Sequence, residues 1–130
     1  MCSMLWKDIP GLGEWFEPGK TISVALDIEK GGLYVSVLGG DSEPAPRWVT
    51  VADDLPLGAE AGSFFFPAIS GQQGACVRFN FGFDPKARPL RISPPSPDYK
   101  SIAAFVSDGN QVRLKLIFGL VLLAPMQLIW

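Results

Sequence analysis

The run Phe64–Phe83, FFFPAISGQQGACVRFNFGF, constrains this chain more than any other stretch. Its second half alternates. Ala75, Val77, Phe79 and Phe81 fall on one side, and Cys76, Arg78 and Asn80 on the other. A period of two marks a strand with one buried face. Gly71-Gln72-Gln73-Gly74 reads as a turn and Phe64–Ser70 as the strand before it, so the run predicts a hairpin. Aromatic rings bury large apolar areas, which places these phenylalanines in the core.

The same alternation recurs upstream. Ile22, Val24, Leu26 and Ile28 share one face of Thr21–Glu29, and Ser23, Ala25 and Asp27 share the other. Lys30-Gly31-Gly32 turns the chain into Leu33–Leu38, which predicts a second antiparallel hairpin. Trp48–Val51 reads as a short β-branched strand between the loops Gly39–Arg47 and Ala52–Ser63. Asp84–Pro89 is a turn, and Leu90–Ile92 is an edge-strand candidate. Ser93–Pro97 carries three prolines and cannot sit inside a ladder; a linker is preferred over a polyproline ligand. Asp98–Val106 reads either as a short helix capped by Asp98 or as a final strand. Fourteen glycines and twelve prolines in 130 residues favour a turn-rich, all-β domain.

The C-terminal part differs in kind. Leu116–Trp130 carries no charge, and Arg113 and Lys115 stand at its start as interfacial anchors do. As a helix it would span about 22 Å, short of a hydrocarbon core of about 30 Å. Pro125 would interrupt it. Three readings stay open: a membrane-associated segment, a buried strand or helix that closes the core, or an extension without a role. The chain then divides into an irregular lead-in (1–16), a β domain (17–106) and a hydrophobic tail (107–130).

Composition excludes several chemistries. The chain has no histidine, which removes the commonest general base and metal ligand and every imidazole triad. The formal charge of −2 gives no basic footprint, so nucleic acid is not an expected partner. Cys2 and Cys76 are the two cysteines; without a secretory signal they read as reduced thiols of an intracellular, cytoplasmic protein. Cys76 has no histidine to activate it and reads as structural. Asp53-Asp54 points its two carboxylates apart on extended backbone and lacks a third ligand, so a solvated loop is expected rather than a metal or acid–base site. Gly11-Leu12-Gly13 is too short for a phosphate loop. No catalytic residue, metal or cofactor is expected. Three side chains are candidates for holding a protein or peptide partner. Arg78 lies off the apolar face of its strand, and Tyr34 and Trp48 are aromatics beside the Gly39–Arg47 loop.

Glu17-Pro18-Gly19 with Ile22–Asp27 resembles the Pro-Gly turn and following strand, ending in Leu-Asp, of a SPRY domain. Leu33–Val37, Phe66–Ser70 and Val77–Gly82 follow in that family's order, and the last two are the most specific. The resemblance covers about half the chain, the later part of the domain. It implies an antiparallel, concanavalin-like β-sandwich without catalytic groups that binds peptides or protein surfaces through its loops, as in ubiquitin ligases and signalling adaptors. Only Met1–Phe16 stands where the family's first strands lie, so an incomplete sandwich is expected, from a fragment, a splice form or a divergent product. The rival reading is a membrane-associated protein anchored by Leu116–Trp130.

Overall fold

A computed structural model describes residues 19–38, 47–55, 74, 76–107 and 115–124. They form one mostly antiparallel β-sheet with almost no helix. In chain order the elements are β1 (Thr21–Asp27), β2 (Gly32–Leu38), β3 (Val49–Ala52), β4 (Cys76–Asn80), β5 (Lys100–Ser101), α1 (Ile102–Ser107) and β6 (Lys115–Ala124). The sheet order is β3-β2-β1-β6-β4, with β5 pairing β6 in parallel beyond the end of β4. This is all-β architecture; a second sheet facing the first does not occur among the described residues.

The hairpin expected over 21–38 forms with its strands in full register, from Thr21 opposite Leu38 to Asp27 opposite Gly32. Its turn is held by Asp27, whose Oδ1 accepts the Lys30 N–H at 3.1 Å. Gly31 has φ +72°, and any side chain there would drive into the backbone of Leu55, whose N–H bonds the Gly31 carbonyl at 3.0 Å. Glycine is the residue that fits both demands.

The alternation fixes the core. Ile22, Val35 and Leu120 form a buried cluster against which Val24, Val37, Val49, Val51, Val77, Phe79 and Phe118 pack. All lie on one face by register. Phe79 stacks on Phe81 at 5.4 Å, and Phe81 tilts against Phe118 at 5.8 Å, each pair adding about 1 kcal/mol beyond its buried area.

The Leu116–Trp130 run resolves in part. Over Lys115–Ala124 it is β6, lying between β1 and β4 rather than standing apart as a tail. Leu120 is buried on the core face and Ile117 on the other, so apolar residues on both sides are what an inner strand needs. Residues 125–130 lie outside the described residues. No helix among the described residues is long and apolar enough to cross a membrane.

Three local expectations are corrected. Leu90–Ile92 is not an edge strand; it crosses the sheet as irregular backbone, with Ile92 buried. Asp98–Val106 is both alternatives in part, a two-residue strand followed by a helix. The cap is Ser101, whose Oγ accepts the Ala104 N–H at 3.2 Å, and not Asp98, which is ion-paired instead. The first arm of the expected 64–81 hairpin, the Gly39–Pro46 part of one loop and the 56–63 part of another lie outside the described residues.

Candidate functional site

The second face of the sheet is covered by a loop. Thr21, Ser23, Ala25 and Asp27, read from sequence as pointing away from the core, are each 3% exposed or less. The segment 81–101 lies over this face, an excursion whose two ends meet. Ala103 N–H bonds the Phe81 carbonyl at 2.9 Å, and Gly82 packs so close to Ser101 that a Cβ would stand 2.5 Å from its Oγ.

Register explains how the loop lies so close. Ser36 is opposite Ser23, Ser23 is opposite Gly119, and Gly119 is opposite Asn80. The pairing of Val35 with Val49 continues this row to Trp48. One row of small side chains therefore crosses the sheet between a polar residue and an aromatic. Residues 88–93 run along it. Asn80 Nδ2 donates to the carbonyls of Arg88 (3.0 Å) and Pro89 (3.3 Å). Leu90 Cδ2 lies 3.7 Å from where a Cβ on Gly119 would be. Arg91 Nη1 donates to Thr21 Oγ1 at 3.2 Å, Ile92 is buried, and Trp48 Nε1 donates to the Ser93 carbonyl at 2.9 Å. Five steps reach at most about 17 Å against about 19 Å for four strand spacings, and the Asn80 and Trp48 side chains reach in from the two sides to meet the strap. Beneath it the Ser23 and Ser36 hydroxyls are buried with no hydrogen-bond partner.

The loop returns over the opposite end of the strands. Lys115, paired in register with buried Asp27, reaches its Oδ2 at 3.7 Å and Asp98 Oδ2 at 3.8 Å, and sits 5.7 Å above the Tyr99 ring. Burial raises the Tyr99 hydroxyl above the usual tyrosine range, and the nearby Asp27, Tyr34 and Asp98 push it the same way. The cluster fastens the loop: Asp27 is engaged by the Lys30 N–H and by Lys115, and Lys115 by two carboxylates.

The three residues singled out for binding separate. Trp48 is half-buried and spends its indole N–H on Ser93, so it clamps the proline-rich segment. Tyr34 is half-buried, its ring folded over Gly32 so tightly that a Cβ there would stand 2.5 Å from the hydroxyl oxygen. Arg78 is exposed on β4, three strand spacings or about 14 Å of backbone from β2. Ser93–Pro97 is thus tied to the sheet at Ser93, with Pro94, Pro95 and Pro97 exposed. Asp53 and Asp54 are exposed, and no group of three metal-ligating side chains occurs among the described residues. Cys76 is an exposed free thiol beside a register shift in β4.

The sequence alone places Phe83 in the core with the other phenylalanines of its run, and the structure corrects this. Phe83 is 78% exposed, the one large hydrophobic so placed among the described residues. It stands on a fastened turn: Asn80 Oδ1 accepts Gly82 N–H at 3.0 Å, Asp84 Oδ1 accepts Ala87 N–H at 3.1 Å, and the Asp84 carbonyl accepts Arg88 N–H at 2.8 Å. The signal was the glycine: Gly82 with φ +82° breaks the alternation that puts Phe79 and Phe81 inside.

No family model, no curated protein and no solved structure matches the chain.

Proposed function

We propose that the chain is a non-enzymatic interaction module that holds a protein or peptide partner on the loop-bearing side of its sheet. The observation that carries this reading is Phe83, an exposed ring on a turn locked at both ends and followed by a strap tied across the sheet. Exposed aromatics on preorganised loops are the usual anchors of protein interfaces, and arginine is the usual companion. Arg78 supplies one two residues before Asn80. Trp48 acts behind the surface, holding the end of the strap at Ser93, while Tyr34 packs over Gly32. The SPRY resemblance supports the same role, and an incomplete sandwich of that type is the finer form of the proposal.

The test places a photo-crosslinking amino acid at position 83 or 78 of the full chain in cells, with position 35, inside the core, as control. A partner is expected at 83 and 78 and not at 35, and its purified form binds the unmodified chain. Identical patterns at all three positions would end the proposal.

A further inference from the structure

Charge is segregated along this chain. From Arg78 to Pro97 four side chains are basic (Arg78, Lys86, Arg88, Arg91) and one is acidic (Asp84), although the whole chain carries a formal −2. The fold brings Arg78, Arg88 and Arg91 to one side, and Lys86 stands on the turn just before Arg88. The Asn80 amide draws the Arg88 backbone back to β4, two residues from Arg78. Arg91 reaches Thr21, which lies in the same cross-strand row as Arg78 through Val121. All four are exposed, and Arg78, Lys86 and Arg88 make no ion pair among the described residues. The Asp84 carboxylate is turned into its own loop, on the Ala87 N–H. Phe83 stands on that loop.

We infer that this patch docks an acidic protein segment carrying one aromatic or aliphatic side chain, the ring of Phe83 taking the apolar group and the basic side chains the carboxylates. The inference rests on the interaction reading and adds the class of partner. Charge complementarity selects it: guanidinium groups hold carboxylates in paired hydrogen bonds, and a field of one sign speeds encounter with a segment of the other. Phe83 selects against a purely electrostatic partner, because a polyanion has no use for an apolar anchor. The backbone is already fixed by Asn80 and Asp84, so little ordering cost remains for binding.

The experiment selects from a random twelve-residue displayed peptide library on the full chain, then measures the enriched peptides by fluorescence anisotropy. Enriched peptides are expected to be net negative with one large apolar residue. Phe83→Ser is expected to weaken them about thirtyfold, the scale of a hot-spot loss. The double reversal Lys86→Glu/Arg88→Glu is expected to weaken them at least about tenfold, with a smaller salt dependence. Both changes are at exposed side chains, so thermal melts unchanged from the parent certify the fold. Neutral or basic enriched peptides, or acidic ones indifferent to both variants, overturn the inference. So does a thymidine oligonucleotide that binds more tightly than every enriched peptide, or self-association that buries Phe83. A cellular partner crosslinked at position 83 together with neutral or basic enriched peptides leaves the interaction reading standing and removes only the acidic class.

Discussion

Gly119 tests the strap most directly. It is buried in β6, in the middle of the small-residue row, with Leu90 above it. A Cβ there would lie 3.7 Å from Leu90 Cδ2 and 3.8 Å from both the Ile22 carbonyl oxygen and Ser23 Oγ, which is ordinary van der Waals contact. Gly119→Ala therefore fits without moving the strap. It removes glycine's excess unfolded-state freedom, about 0.5–1 kcal/mol, and buries one methyl, about 0.8 kcal/mol before the partial burial in the denatured chain is discounted. The net expectation is a gain of about 1 kcal/mol, or about 3–5 °C in Tm for a chain of this size. Gly119→Leu overpacks the same point and is expected to cost about 1–3 kcal/mol by lifting Leu90. Gly82→Ala is the control of opposite sign, because φ is +82° and its methyl would stand 2.5 Å from Ser101 Cβ. Urea unfolding followed by tryptophan fluorescence reads all three, with unchanged m-values certifying the same native state. A loss of 1 kcal/mol or more for Gly119→Ala would mean that no open methyl-sized space separates strap and sheet, and would refute the reasoning.

The Ser23 and Ser36 hydroxyls are buried without partners, so Ser23→Ala/Ser36→Ala removes two desolvation penalties and is expected to stabilise by about 1 kcal/mol or more; a clear destabilisation in the same urea assay means that a bond or a bridging water is lost. Asn80→Ala deletes three hydrogen bonds to Gly82, Arg88 and Pro89 and is expected to cost about 2 kcal/mol, with faster amide exchange confined to 82–93; uniform exchange across the chain contradicts a local tether. Tyr99 binds its proton more tightly folded than unfolded, so its contribution is complete below pH 10, the unfolded value, and is lost as pH rises through the folded value. The stability of Tyr99→Phe is accordingly expected to fall less steeply above pH 10 than that of the parent, and parallel curves contradict the assignment.

The strands with one apolar face were legible, because a period of two survives in sequence whatever the partner. Ile22-Val24 and Val77-Phe79 show it, and both pairs pack on the core. The covered second face was not legible. Ser23, Ser36 and Gly119 are unremarkable where they stand in the chain, and they become one row only when pairing brings three strands together. The strap itself, Arg88–Ser93, has no repeating pattern, since irregular backbone answers to anchoring bonds rather than to a period. The inner strand β6 was ambiguous for a physical reason: a strand buried on both sides is apolar at every position, and so is a buried helix or an interfacial segment. Of the binding candidates, Arg78 was visible because the alternation places it off the apolar face of its strand. Tyr34 and Trp48 were visible as aromatics, but that the Trp48 indole N–H meets the Ser93 carbonyl, 45 residues away, is written in no local pattern.

The same absence of a pattern decides what this side of the sheet can offer. Covering sheet with sheet needs side chains from both layers to interdigitate across about 10 Å. A row of serine, serine and glycine cannot reach that far. It can admit a single strap of irregular chain at close range, and a strap so close exchanges bonds with the side chains that edge the row, as this one does with Asn80, Thr21 and Trp48. The outward side chains of that strap are then held by the sheet while remaining outside the core. Arg88 is fixed through its carbonyl, Arg91 is hooked at one nitrogen, and Phe83 is left on the turn before them. Rigid placement of exposed anchors is what a docking surface needs and what a loosely attached loop lacks. The small residues of the row therefore set both how the second face is closed and which side chains that closure displays.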